Sequence, residues 1–74
     1  MPFEINAIIE KDENGYFAFV PQLKGCVSSG ETFDEARANI KEAAELYLES
    51  LAAGEIARIF AKETTITPIE VALG

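Results

Sequence analysis

From Thr32 onward the chain repeats apolar side chains at steps of three and four residues: Phe33, Ala36, Ile40, Ala43, Ala44, Tyr47 and Leu51. The charged Arg37, Lys41, Glu42, Glu45 and Glu49 fall between them. That period puts an apolar stripe along one side of an α-helix and leaves the other side to water. Thr32-Phe33-Asp34-Glu35 marks its start: the Thr32 hydroxyl can accept from the backbone N–H three residues on, and Glu35 can reach back. Asp34 and Glu35 also sit at the positive end of the helix dipole. The pattern predicts a helix of about five turns ending near Gly54. A long one-faced helix must bury its stripe on another layer, and what precedes it reads as strand.

Phe3, Ile5, Ala7 and Ile9 alternate with Glu4, Asn6 and Glu10, the period of a half-buried strand, with Ile8 the exception. Lys11 to Gly15 is a charged turn in which Asn14-Gly15 supplies the positive-φ residues of a tight hairpin. Tyr16-Phe17-Ala18-Phe19-Val20 runs back with apolar residues on both faces, which a strand tolerates when it is central or covered by a second subunit. Pro21 has no N–H to donate and stops the pairing, and Gly25 closes the turn that follows. Cys26 to Ser29 is a third short strand with Gly30 at its end. Beyond Gly54, residues 55–60 read as one or two further helical turns. Pro68, then Ile69, Val71 and Leu73 alternating with Glu70 and Ala72, reads as a last strand at a sheet edge. The predicted class is α+β in two layers, β-β-β-α-β, one long helix packed on a small, mainly antiparallel sheet.

A chain of 74 residues forms one small domain. Such a domain buries only about 60% of the surface its unfolded chain exposes, so it needs a staple. One cysteine, Cys26, allows no internal disulfide, and with no histidine beside it a structural zinc site is not expected. Association with another chain is the staple that remains. No run approaches the ~20 apolar residues of a membrane span. The start Met1-Pro2-Phe3-Glu4 has neither the basic nor the apolar region of a signal peptide, and a lone free cysteine fits a reducing compartment. A cytoplasmic protein is expected. Thirteen acidic against six basic residues give a net charge of −7, a surface that repels a phosphate backbone. Charge alone leaves two readings open, a basic protein partner or simple solubility.

Catalytic groups are scarce. Neither Cys26 nor Ser28 and Ser29 has a histidine to activate it, and Cys26 reads as a small apolar filler beside Val27. Gly15, Gly25 and Gly30 are spaced as turn residues, not as a phosphate cradle. Glu42, Glu45 and Glu49 read as a solvated helix face rather than a metal cleft. No enzymatic activity, cofactor or metal is expected. On the aromatic strand, Phe17 and Phe19 lie on one face and Tyr16, Ala18 and Val20 on the other, more than one helix can cover. Loops and residues 56–60 could cover the second face. With so little chain to spare, a subunit interface at Tyr16, Ala18 and Val20 is the favoured expectation. Glu42, Glu45 and Glu49 are the candidates to meet a basic partner.

The stretch NGYFAFVPQLKGCVSSGETFDEARANIKEAAELYLE, residues 14–49, resembles the N-terminal domain of the HicB antitoxin family. The matching features are Gly15-Tyr16, Pro21, Leu23, Gly25-Cys26, Gly30-Glu31-Thr32 and Glu35-Ala36. Gln22 and Lys24 depart from the commonest glutamate and proline, and residues 54–67 follow the family pattern poorly. The resemblance implies a partial RNase H-like fold without the acidic metal cluster of true RNase H enzymes. It implies assembly into dimers or tetramers, and binding of a small basic toxin, HicA, that cleaves messenger RNA. An antitoxin of this kind acts by covering the toxin's surface. Residues 1–74 are then expected to be one HicB-like domain. The helix-turn-helix or ribbon-helix-helix domain that usually follows in the family is not expected here, so operator binding is not carried over. The alternative is an orphan HicB-like oligomeric scaffold with no toxin attached.

Overall fold

Phe3, expected on the first strand, lies outside residues 4–74, which the computed structural model describes. Strand β1, Ile8–Asp12, pairs antiparallel with β2, Gly15–Phe19, in the register Ile9 to Ala18 and Asp12 to Gly15. The ladder runs into the charged residues Lys11 and Asp12 because the connection is the tight two-residue turn Glu13-Asn14. Gly15 alone takes the positive φ expected of Asn14-Gly15, at +127°. A Cβ there would sit 3.0 Å from the Gly30 carbonyl oxygen. Asn14 instead donates its backbone N–H to Asp12 Oδ1 at 2.8 Å, a local bond typical of turn Asp residues.

Pro21 ends β2, and the chain turns through residues 21–25 before β3, Val27–Gly30, pairs antiparallel with β2. Val20 N–H donates to the Cys26 carbonyl at 3.1 Å, and within the turn Leu23 N–H donates to Val20 and Cys26 N–H to Leu23, both at 3.0 Å. Gly25 takes φ +81° to close it. These bonds drop the Leu23 side chain into the interior.

Helix α1, Phe33–Glu49, starts as its sequence predicts: Thr32 Oγ1 accepts from Glu35 N–H at 3.0 Å. The Glu35 carboxylate reaches one residue further back than expected and accepts from Glu31 N–H at 3.1 Å. The helix ends at Ser50, whose hydroxyl donates to the Tyr47 carbonyl at 2.7 Å, four residues before Gly54. Gly54 instead lies inside a second helix, α2, Ala53–Ala61. Its first turn is held by Glu55, which accepts from Ala52 N–H at 3.2 Å.

The architecture is α+β, a three-stranded antiparallel sheet in the order β1-β2-β3 with α1 on one face. The core between the layers is Ala18, Val20, Leu23, Cys26, Ala36, Ile40 and Ala44, flanked by half-buried Ile5, Ile9, Tyr47, Leu48 and Ile59. Three of the seven are alanines, so the helix sits close on the sheet. The expected fourth strand does not form within the chain. Residues 62–74 have no regular structure, and Ile69, Val71 and Leu73 are exposed. Alternation equips a segment to be a strand, but a strand exists only where an edge pairs its backbone. Here α2 docks through Ile59, and no strand forms beyond it, so the observed order is β-β-β-α-α.

Candidate functional site

Alternation along β2 sends Tyr16 and Ala18 towards α1, and Val20 continues inward beyond the strand. Ala18 and Val20 are buried in the chain's own core, and half-buried Tyr16 meets Phe33 edge-on with ring centroids 6.4 Å apart. These three residues, expected at a subunit interface, therefore form the inner side of the domain. Closely spaced small residues on α1 are the reason, since Ala36 and Ala44 let the helix sit close over that face of β2.

The open face is the other parity. Phe17 and Phe19 lie side by side there, ring centroids 6.0 Å apart, with Ile8 paired to Phe19 on one flank and Val27 on the other. Phe17 is 42% and Val27 51% exposed, and Ile8 and Phe19 are half-buried. A shallow hollow continues from these rings past Pro21, Lys24 and Gly25. Glu10, paired with Phe17, and Asp12 share this face and give the apolar centre an acidic flank. The sequence held one signal for the patch: Ile8, the residue that breaks the alternation of β1, is apolar because it belongs here.

Glu42, Glu45 and Glu49 line the outer side of α1, as expected of a solvated stripe, with exposed Leu46 among them. Glu45 pairs with Lys41 at 3.4 Å, the one ion pair among the described residues, so Glu42 and Glu49 present uncompensated charge. Because α1 covers one sheet face, this stripe and the aromatic patch lie on opposite sides of the domain. The structure does not bring them together.

Cys26 lies in the core, and burial pushes its thiol above the ordinary value. It is held in the protonated, unreactive form rather than poised as a thiolate. Among the described residues no group of three or more Cys, Asp or Glu side chains converges as a metal site. The surface thus presents an aromatic centre with an acidic rim on one side and an acidic helix on the other.

A UPF0150 protein of Helicobacter pylori is 65% identical over 68 residues, covering 92% of this chain and 94% of that protein. UPF0150 proteins of Synechocystis and Thermoplasma acidophilum are 54% and 56% identical over 52 and 45 residues. The matches cover 69% and 60% of this chain, and 66% and 65% of theirs. No solved structure matches the chain significantly. The family model described as the HicB-like antitoxin of the bacterial toxin–antitoxin system matches residues 5–69. The chain belongs to the HicB-like antitoxin family.

Proposed function

We propose that this protein is an antitoxin that neutralises a small basic HicA-type toxin, an mRNA-cleaving nuclease, by stoichiometric binding. The match of residues 5–69 to the HicB-like antitoxin family carries the reading. The surface fits it physically. A net charge of −7 steers a basic protein inward and repels the RNA that such a toxin would carry. Phe17, Phe19 and Val27 then supply the apolar centre that gives a protein interface most of its affinity, and Glu10 and Asp12 the charged rim. In this reading Glu42, Glu45 and Glu49 contribute to the field that speeds encounter rather than to the contact itself. The antitoxin performs no chemistry; it acts in the cytoplasm as a homo-oligomer and works by covering the toxin's RNA-binding surface. No helix among the described residues is long and apolar enough to cross a membrane.

The test is to co-express the chain with the small basic protein of the neighbouring reading frame and to assay RNA cleavage by the mixture. A 1:1 complex that silences cleavage supports the proposal. A toxin that remains active at excess antitoxin, with no complex formed, overturns it in favour of an orphan oligomeric domain, which the amount of exposed apolar surface would also suit.

A further inference from the structure

Two unpartnered features of this chain fit each other. The first is the C-terminal segment: Ile69, Val71 and Leu73 alternate with Glu70 and Ala72 as in a strand, yet they are 80%, 70% and 96% exposed. The second is a groove on the body. Helix α1 packs mainly on β3 and β2 and only touches β1, which has no neighbour on its outer side. The uncovered space there is lined by Ile5 and Ala7 ahead of β1, by Val20, and by Ile40, Ala44 and Leu48 of α1, with the charged Arg37, Lys41 and Glu45 of α1 also bordering it. It is a mainly apolar slot with a charged border beside an open strand edge, the place a fourth strand would occupy.

The spacings agree. In a strand at that edge every second side chain points under the helix, and Ile69 to Leu73 covers about 13 Å at the usual strand rise. Ile40 to Leu48 covers about 12 Å along the helix. Three apolar side chains of the segment thus match three of α1 in spacing.

We propose that the segment 66–73 of one copy adds to the β1 edge of a second copy and fills its groove, reciprocally, in a two-fold dimer. The shape of the single chain selects a second copy as occupant. Its radius of gyration is 14.3 Å and its longest extent 45 Å, whereas a compact chain of this length has a radius of gyration of about 11 Å. The excess is an arm beyond Thr64, which still lies against Pro21 and Tyr47: Ile69, Val71 and Leu73 are exposed and take no part in lining the chain's own groove. An arm and a matching groove on the same chain close under two-fold symmetry, and both exposed edges disappear. The inference deepens the homo-oligomer of the proposed function, and its test contains no toxin, so its failure leaves toxin binding to the cleavage assay.

Ala7→Cys and Val71→Cys are made singly, on chains of distinguishable mass, and as a double variant. The two single variants are co-expressed and treated with a short bis-maleimide; each alone serves as the control for native Cys26, which is buried. The expected product is a two-chain adduct joining the Ala7→Cys chain to the Val71→Cys chain. Light scattering should give twice the 8.1 kDa chain mass for the natural protein and a dissociation constant raised at least tenfold in Val71→Asp. Val71 is exposed in the single chain, so that variant keeps its fold, which circular dichroism checks. A one-chain adduct in the double variant without the two-chain product would show the arm folding into its own groove and overturn the proposal. So would the absence of any adduct, or a Val71→Asp dimer of unchanged affinity.

Discussion

Gly30 closes β3 so near the first turn of α1 that a Cβ on it would lie 2.5 Å from the backbone nitrogen of Ala36. This contact joins the two layers where the chain passes from sheet to helix, and it involves backbone that cannot swing aside. Gly30→Ala should therefore destabilise the domain by about 1–3 kcal/mol, the usual cost of forcing extra volume into a packed site. Gly54 is the control, because a Cβ there meets nothing within 4 Å and its φ is ordinary. Gly54→Ala should stabilise by about 0.4–1 kcal/mol by restricting the unfolded chain. Urea unfolding followed by circular dichroism measures both; equal effects would show that the close approach has no energetic weight.

Cys26 links burial to pH. Desolvation raises its thiol above the ordinary 9.0, so the native state holds the thiol proton more tightly than the unfolded chain does. The stability this contributes is complete below the unfolded value and is lost as pH rises through the raised native value. The natural protein should thus lose stability more steeply in the alkaline range than Cys26→Ala does, with parallel curves below pH ~8. The thiol should also react with a colorimetric disulfide reagent only as fast as the domain opens, and promptly in denaturant. Prompt reaction under native conditions would contradict its place in the core.

The aromatic face should separate affinity from encounter rate. Phe17→Ala, at a half-exposed position, should leave folding stability within about 1 kcal/mol while weakening the proposed complex with a toxin tenfold or more through faster dissociation. Glu42→Gln, Glu45→Gln and Glu49→Gln combined should instead slow association, by about tenfold at low ionic strength, with little change in the dissociation rate. Raising salt should erase that difference, because charges beyond about 10 Å are screened at 0.1 M. Surface-plasmon kinetics at two salt concentrations reads both; a dissociation-rate effect from the glutamates would place the contact on α1 instead.

How far the sequence reveals this fold depends on whether a signal is local. The Thr32 cap and the start of the α1 stripe are specified within a few residues and are found where the pattern puts them; the hairpin forms at Gly15, but its turn is only Glu13-Asn14 and β1 is Ile8–Asp12, with residues 4–7 outside the strand. The parity of β2 is not local: Tyr16-Phe17-Ala18-Phe19-Val20 is apolar on both faces, and only the small residues of α1 decide which face it covers. Ile8, out of step in β1, is the one residue that betrays the open side. For residues 69–73 the alternation is plain, but a period of two says nothing about which edge, or whose, completes the pairing. Gly54 has the opposite history. It looks like the end of α1, whereas Ser50 caps that helix through its hydroxyl and the glycine is absorbed into α2.

Leu23 tests how thin the stability margin is. It is 1% exposed, the largest fully buried side chain among the described residues, and it hangs from a turn rather than from a strand or helix. Its own backbone fastens it there, donating to Val20 and accepting from Cys26, both at 3.0 Å. The side chain fills the end of the core beneath α1, where alanines leave little other bulk. Leu23→Ala should cost about 2–5 kcal/mol, since a cavity at a hydrogen-bonded turn cannot collapse freely. A 74-residue domain has only about 4–11 kcal/mol in total, so the variant should lose a large share of its stability and melt at a lower temperature. Leu23→Met, which keeps the volume, should cost less than about 1.5 kcal/mol. Thermal unfolding of the three proteins decides it: if alanine and methionine behave alike, the turn is held by its backbone bonds, and the buried side chain is not what anchors it.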